Sequence, residues 1–286
     1  MGLNMVLNPF NEITNKLKSK IPASLNKYLP KKWEKNGDIL IISLPKLLKD
    51  HKKIIGKVYA DILGCKSVLN DIGGISGELR EPKMEVIFGS KKTITIHKEN
   101  GVKYKLDPQK VMFSSGNMKE RIRMAYISKP GEVVVDLFAG IGYFSLPIAV
   151  HSKPNKIYAC EKNPISYDFL CENVSLNNVN SIVEPLFGDN RDVAPIDVSD
   201  RVIMGYFDGT IRFLPIAFRC LRNNCGIIHF HDKFPDEYVP NLTMKYINSE
   251  GRKLLLNINL LRYVKVKSFA PGISHYVFDL EIGKNE

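Results

Sequence analysis

From Glu132 onward, short apolar segments alternate regularly with segments of helical pattern. The apolar segments share a length of four to six residues and lie at Val133–Leu137, Ile157–Cys160, Ile182–Phe187, Val202–Tyr206 and Ile227–Phe230. Short apolar strands that alternate with helices predict a parallel sheet covered on both faces. The last two apolar runs, Leu254–Val264 and Tyr276–Ile282, are joined by a loop too short for a crossover helix. They predict an antiparallel pair that closes the sheet.

The chain before residue 110 follows a different pattern. Apolar positions at helical spacing with interleaved lysines predict a basic amphipathic helix over residues 9–28, and Leu44–Leu63 also has a helical pattern. Runs typical of strands lie at Ile39–Ile42, Glu85–Phe88, Thr93–His97 and Val102–Leu106. The Asn100-Gly101 pair between the last two runs predicts a hairpin. We therefore expect a small α/β domain in residues 1–110 and a larger domain in residues 111–286.

Charge is distributed unevenly between the two parts of the chain. Residues 1–130 carry 25 Lys and Arg against 12 Asp and Glu, a net charge of +13, whereas residues 131–286 carry 16 against 18, a net charge of −2. This imbalance favours a polyanionic partner held by the N-terminal part, with nucleic acid ahead of a membrane; a solvated lysine-rich surface is the alternative. No apolar run approaches the length of about 20 residues that a transmembrane helix needs. The five dispersed cysteines favour a reducing cytoplasm over disulfides or a zinc site.

Three strand ends of the predicted parallel sheet carry residues suited to an adenosine. The first strand ends in the sequence DLFAGIG at residues 136–142, whose glycines let the backbone turn tightly and approach a ligand. Glu161 ends the second strand, where a carboxylate accepts hydrogen bonds from both ribose hydroxyls. Asp189 and Asn190 follow Gly188 at the end of the third strand and are expected to face the adenine edge. The three strand ends together predict an adenosine cofactor.

The same segment indicates which adenosine cofactor the site suits. A dinucleotide site needs a third glycine where this chain has Ser145, and Tyr143 and Phe144 crowd the start of the helix. The chain also lacks the Gly-Lys-Ser/Thr motif of a nucleotide triphosphate site. Asp136 would repel a pyrophosphate, but it suits a ligand that bears an ammonium and a sulfonium, either by contact or by orienting the loop. The ligand that fits is S-adenosyl-L-methionine.

At this point the sequence resembles a known family. The DLFAGIG segment, preceded by Phe113-Ser114 and by the sequence KERIR at residues 119–123, resembles the class I enzymes that modify the purine at position 37 of tRNA. The segment PKKWEKNGD at residues 30–38 is similar to the entry of that family's N-terminal domain. The resemblance covers about residues 25–285. It implies a Rossmann-like class I methyltransferase fold with a seven-stranded mixed sheet, a smaller N-terminal α/β domain that reads tRNA, and S-adenosyl-L-methionine as group donor.

Two branches of this family transfer different groups. The tRNA guanine-37 N1-methyltransferase branch carries an Asn-Pro-Pro motif after the fourth strand, where this chain reads MGYFDG at residues 204–209. The chain is instead similar to the wybutosine-pathway aminocarboxypropyltransferases, which alkylate 4-demethylwyosine of tRNA(Phe) and leave methylthioadenosine. The resemblance therefore implies the anticodon loop of tRNA(Phe) as partner, with methylation as the alternative activity. A non-catalytic RNA-binding protein is the more distant alternative. The oligomeric state stays open, with a monomer favoured over an oligomer.

Roles carry over to five residues of this chain as candidate cofactor contacts. Ser114 and Arg121 are expected at the aminocarboxylate end of S-adenosyl-L-methionine, since a guanidinium offers a planar donor fork to a carboxylate. Arg123 competes with Arg121 for this role, and a surface ion pair is the alternative. Glu161 is expected at the ribose. The last two, Asp189 and Asn190, are expected at the adenine or, alternatively, in a helix cap or turn.

No catalytic base follows from the sequence. The residues near strand ends where a base could stand are Asp208, His229, His231 and Asp232, although Asp208 is also suited to cap a helix. The two histidines share a strand face, but without a third convergent ligand they do not predict a metal site. Tyr206 and Phe207 either stack on an unpaired base of the RNA or end a buried strand.

Overall fold

The structure is a computed structural model that describes residues 8–77, 79–207 and 209–284. The chain forms two compact units. The first unit contains the chain up to Lys98 together with Tyr104–Ser114, and the second contains Glu99–Lys103 together with the chain from Ser115 onward. The chain therefore passes from one unit to the other three times.

The first unit is a four-stranded sheet with two helices and a hairpin. Its strands and helices, in chain order, are α1 (Pro9–Leu17), β1 (Glu34–Asn36), β2 (Ile39–Ile42), α2 (Lys52–Leu63), β3 (Ser67–Ser76), β4 (Glu81–Phe88), β5 (Thr95–Glu99) and β6 (Val102–Leu106). The sheet order is β1-β2-β3-β4, and β5 pairs with β6 in a separate ribbon. Ile13, Leu17, Ile55 and Tyr59 of the two helices are buried in its core.

The first helix and the third strand of the first unit differ most from the sequence prediction. The first helix ends at Leu17, because Ile21-Pro22 interrupts the pattern and only a short 3-10 turn follows at Ala23–Tyr28. Strand β3 was not predicted, since its Asn, Asp and Gly-Gly residues are typical of turns; a register irregularity between Asp71 and Ile75 accommodates them. The predicted hairpin is confirmed, with positive φ angles at Asn100 and Gly101.

The second unit contains the large sheet. Its elements are α3 (Met118–Met124), β7 (Val133–Asp136), α4 (Ser145–His151), β8 (Lys156–Glu161), α5 (Pro164–Leu176), β9 (Val183–Phe187), α6 (Asn190–Val193), β10 (Arg201–Met204), α7 (Leu214–Cys220), β11 (Gly226–Pro235), α8 (Asn241–Arg252), β12 (Leu256–Ala270) and β13 (Ile273–Lys284). The sheet order is β12-β13-β11-β10-β7-β8-β9. Strands β11, β10, β7, β8 and β9 are parallel, and β13 pairs antiparallel with both β11 and β12. The predicted seven-stranded mixed sheet is confirmed.

The order of the strands determines where a ligand can bind. Chain order reverses at β7, which lies between β8 and β10, and the crevice outside the carboxyl ends of strands at such a reversal is the usual ligand site of an open α/β sheet. Strands β7 and β10 are short and buried because helices cover both faces of the sheet centre. The carboxyl ends of β7, β8, β9 and β10 therefore meet at one edge.

Candidate adenosine and purine site

Asp136 holds the loop after β7 in place. Its carboxylate is fully buried and accepts hydrogen bonds from the Phe138 backbone N–H at 3.2 Å and from the Ser145 hydroxyl at 2.7 Å. Burial raises the pKa of Asp136 to about 6. Asp136 thus orients the glycine loop, which is one of the two roles the sequence left open. Gly140 has a φ of +59°, and a Cβ there would collide with the ring of Tyr143.

Glu161 stands at the end of β8, beside the glycine loop. One carboxylate oxygen accepts the Gly140 N–H and the other accepts the Asn163 N–H, both at 2.7 Å. Burial raises the pKa of Glu161, and the hydrogen bonds from Asn163 and Gly140 oppose that effect. A carboxylate offers about four acceptor positions, so each oxygen keeps capacity for a ligand hydroxyl. This arrangement fits the predicted ribose contact.

Asp189 and Asn190 begin the short helix α6 and have different surroundings. Asp189 is the N-cap, accepts the Arg191 N–H at 3.1 Å, and also accepts the Arg191 guanidinium, which holds the pKa of Asp189 well below its usual range. Asn190 is buried, and its Nδ2 donates to the Leu137 carbonyl at 2.9 Å. Its Oδ1 has no hydrogen-bond partner within the described ranges. An unpaired buried amide oxygen next to the glycine loop fits a ligand amino group such as that of adenine.

The residues expected at the aminocarboxylate end are engaged with protein carboxylates or lie in the other unit. Arg121 is buried and donates from Nε and Nη2 to the two oxygens of Glu99, each at 2.6 Å. A bidentate pair between that edge of Arg121 and a ligand would require Glu99 to move. Arg123 pairs with Glu120 and with Asp279. Ser114 is half-buried and is the last residue of the first unit, so its role stays a prediction.

The loop after β10 carries the two aromatic residues that the sequence singled out. Tyr206 stacks on Phe138 with ring centroids 5.0 Å apart, and it also contacts Phe213. Phe207 instead packs against the ring of His275 at 4.7 Å. The next residue, Asp208, lies outside the described residues. The two aromatic side chains thus have separate contacts, and Phe207 lies next to His275, which was not among the candidate residues of the sequence.

Two of the candidate bases take part in contacts that hold the structure. Asp232 accepts the Thr210 N–H at 2.7 Å and the Lys233 N–H at 2.8 Å, so it holds the loop after β10. His229 lies between the carboxylate of Asp279, 2.6 Å from Nδ1, and the guanidinium of Arg201, 2.7 Å from Nε2. A guanidinium only donates, so Nε2 of His229 must accept and Nδ1 must carry the proton. Both ring nitrogens of His229 are thus occupied, whereas Asp232 keeps acceptor capacity beside its two backbone contacts.

His231 and His275 form a buried pair on neighbouring strands. Nδ1 of His231 lies 3.2 Å from Nε2 of His275. The side chains join β11 to β13, and only the three-dimensional register brings them together because 44 positions separate them in the chain. This separation along the chain explains why the sequence pattern alone does not single out His275. Among the described residues no group of three or more His, Cys, Asp or Glu is placed to hold a metal ion.

Comparison with known proteins finds two family models that together cover most of the chain. Residues 95–259 match the TRM5/TYW2 methyltransferase domain, and residues 13–93 match the TYW2 N-terminal domain. The tRNA(Phe) (4-demethylwyosine(37)-C(7)) aminocarboxypropyltransferase of Pyrococcus horikoshii is 42% identical over 269 residues, which are 94% of this chain and 95% of that protein.

Two solved structures are also similar. The crystal structure of P. horikoshii TYW2 in complex with MeSAdo has a TM-score of 0.86 and 40% identity, covering 96% of this chain and all of the other. The structure of M. jannaschii TYW2 in complex with AdoMet has a TM-score of 0.74 and 37% identity, covering 89% of this chain and all of the other. Since both parts of the chain match and the likeness extends over nearly its whole length, the chain belongs to the TRM5/TYW2 family.

Proposed function

We propose that this chain transfers the 3-amino-3-carboxypropyl group of S-adenosyl-L-methionine to C7 of 4-demethylwyosine at position 37 of tRNA(Phe). Methylthioadenosine is the second product. The observation that carries the proposal is the 42% identity, over 94% of this chain, to an enzyme named for that transfer. The glycine loop, Glu161 and Asn190 supply a matching adenosine site in the second unit.

Each side chain of that site has a distinct task. Glu161 accepts the ribose hydroxyls while the Gly140 and Asn163 N–H groups hold it in place. Asn190 accepts the adenine amino group through Oδ1, and Asp189 fixes the start of α6. Ser114 and Arg121 remain our proposed contacts for the aminocarboxylate end.

The choice of transferred group depends on orientation. A sulfonium carries three electrophilic carbons, so the product is determined by the carbon that the protein holds in line with the nucleophile. The loop after β10 reads MGYFDG at residues 204–209 and lacks the Asn-Pro-Pro motif of the methylating branch. Gly205 packs against the ring of Phe144, where an added Cβ would come within 2.8 Å of the ring. This loop therefore differs from the methylating branch at the point where the target purine is expected.

We place the main RNA contacts on the first unit. It carries 20 Lys and Arg against 10 Asp and Glu, whereas the second unit carries 21 against 20. Positive charge concentrated on one unit is the usual electrostatic basis of phosphate binding. The anticodon loop is the expected target because the modified position lies there.

We also propose that the enzyme works in the cytoplasm, in keeping with its five free cysteines. Within the part of the chain that the structure describes, no helix is suited to crossing a bilayer.

The product formed on tRNA tests the proposal directly. The protein is incubated with S-adenosyl-L-methionine and tRNA(Phe) bearing 4-demethylwyosine, and nucleosides and small molecules are analysed by mass spectrometry. We expect an aminocarboxypropyl adduct and an equal amount of methylthioadenosine. A methyl adduct with S-adenosylhomocysteine would overturn the proposal in favour of the methylating alternative. Absence of any adduct would support the non-catalytic alternative.

A further inference from the structure

The buried histidine pair leaves one nitrogen of each ring without a hydrogen-bond partner among the described residues. His231 is fully buried and His275 is 2% exposed. Their contact uses Nδ1 of His231 and Nε2 of His275, and the other ring nitrogens, Nε2 of His231 and Nδ1 of His275, have no hydrogen-bond partner among the described residues. Buried polar atoms without partners are uncommon in folded proteins, and a catalytic role is one of the explanations for them, beside a bound water or an ion.

The surroundings determine which nitrogens carry the protons. Nε2 of His231 lies 3.9 Å from Oε1 of Glu120, a carboxylate that a guanidinium fork from Arg123 holds in position. A carboxylate favours a proton on the nitrogen that faces it, so His231 carries its proton on Nε2. Nδ1 of His231 must then accept, and Nε2 of His275 must donate. Nδ1 of His275 is left with a free lone pair.

The pair lies beside the loops that form the site. The ring of His231 packs against Phe144 of the glycine loop at 5.1 Å, and the ring of His275 packs against Phe207 of the loop after β10 at 4.7 Å. Gly205 of that second loop also packs against Phe144. The two histidines therefore stand between the adenosine loop and the loop where the target purine is expected.

The proposed transfer creates a proton that needs an acceptor. C7 forms a bond to the γ-carbon of the methionyl chain while the bond from that carbon to sulfur breaks, so the positive charge passes from the sulfonium to the purine adduct. The departing methylthioadenosine is a neutral thioether and is too weak a base to take the C7 proton. Loss of that proton restores the aromatic ring, and a group on the protein must receive it where water is excluded.

We propose that Nδ1 of His275 accepts the C7 proton of the purine, and that His231 and Glu120 are positioning residues that fix the required tautomer. This inference rests on the proposed function. The hydrogen-bonded pair stabilises the positive charge of the imidazolium that forms on His275. The Nε2 proton of His275 points at Nδ1 of His231, and Nε2 of His231 faces the Glu120 carboxylate. Atoms and charge balance: one aminocarboxypropyl group is transferred and one proton is released.

Burial, together with nearby positive charge, keeps His275 neutral before the reaction. Burial, followed by the positive charge of Lys267 on β12, lowers the pKa of His275 to about 3. Burial, His275 and Arg123 lower the pKa of His231 well below its usual value, with His229 adding to this effect and Asp279 opposing it. The positively charged adduct is a much stronger acid than an imidazolium, so a histidine of low basicity suffices as acceptor. Because the neutral form persists, the parent rate should show no histidine inflection near pH 6.5.

The main experiment compares His275→Ala and His275→Gln with the parent chain in single-turnover transfer to tRNA. We expect transfer to slow about 100-fold or more in both variants, since a positioned base contributes about 10²- to 10⁴-fold. The affinity for S-adenosyl-L-methionine should stay within about twofold of the parent value. His151→Ala, at a histidine on α4 whose Nε2 lies near the Asn100 carbonyl, is the matched control and should keep the parent rate.

Two readouts separate a proton acceptor from a structural histidine. Added imidazole should restore part of the rate of His275→Ala, in proportion to the free-base fraction of imidazole, and should not affect His151→Ala. Substrate deuterated at C7 should show a larger isotope effect in His275→Ala than in the parent, because proton loss becomes slow. A parental rate in His275→Ala, or a slow rate with neither rescue nor isotope effect, would overturn the inference while the aminocarboxypropyl product of the parent still supports the proposed function. A loss confined to Asp208→Asn would also overturn it.

Discussion

The candidate site lies at the edge of the large sheet, and its two sides are built in different ways. On the adenosine side, formed by the ends of β7, β8 and β9, acidic and amide side chains bind backbone groups: Asp136 and Glu161 each accept the N–H two residues on, and Asn190 donates to the Leu137 carbonyl. On the network side, formed by β11, β13 and α3, side chains bind one another over long separations. His229 and Asp279 are 50 residues apart, and Arg123 and Asp279 are 156 apart. The first side pairs polar side chains at strand ends with backbone groups, whereas the second pairs side chains with other side chains and exists only once the sheet has assembled.

The largest expected effect breaks the network side. Asp279→Ala removes a buried carboxylate that binds both His229 and Arg123, so Nδ1 of His229 loses its acceptor and Arg123 keeps only Glu120. Removing one member of a buried ion pair typically costs about 3–5 kcal/mol of unfolding free energy. Chemical denaturation should show this loss, with Glu281→Ala as control, because Glu281 is exposed on the same strand. Equal stability of the two variants would contradict a network that depends on Asp279.

The second effect breaks the adenosine side without affecting the network. Glu161→Ala removes the proposed ribose acceptor and should weaken binding of S-adenosyl-L-methionine at least 100-fold, about 3 kcal/mol, as measured by calorimetry. The affinity for tRNA should remain nearly unchanged. The control is Glu184→Ala, which removes an exposed carboxylate on β9 that pairs with Lys156 on β8. This variant should leave both affinities at parent values. If Glu161→Ala weakened both ligands equally, the division of labour between the two units would be wrong.

The smallest effect concerns pH. Asp136 has a pKa raised by burial from 3.8 to about 6, so the folded chain binds this proton more tightly than the unfolded chain does. The stabilisation is complete below about pH 4 and is lost as the pH rises through about 6, a change of about 2–3 kcal/mol. Asp136→Asn should remove this dependence and gain stability relative to the parent between pH 4 and pH 7. Denaturation across that range, with the exposed Asp168→Asn as control, measures the difference. Parallel pH profiles for parent and Asp136→Asn would contradict the raised pKa.

The contrast between the two sides also explains what could be predicted from the sequence. The seven-stranded sheet followed from the apolar runs, and Glu161 and Asn190 were selected as candidate cofactor contacts from their positions at strand ends, because a strand end is recognisable from adjacent residues. His275 could not be found in this way, because its importance depends on the register of β13 against β11. His229 and Asp232 were selected as candidate bases for their type and place, and only the structure shows that Asp279, Arg201 and backbone N–H groups occupy them.

The hairpin tip at residues 99–103 has a consequence for how this protein can be divided. The tip belongs to the second unit although the chain on both sides of it belongs to the first, and its Glu99 neutralises the buried Arg121. A fragment that begins at residue 111 would leave that guanidinium buried without its carboxylate. Exchange of one unit for a foreign one by genetic recombination would need three junctions rather than one. The two units are therefore expected to be inherited together.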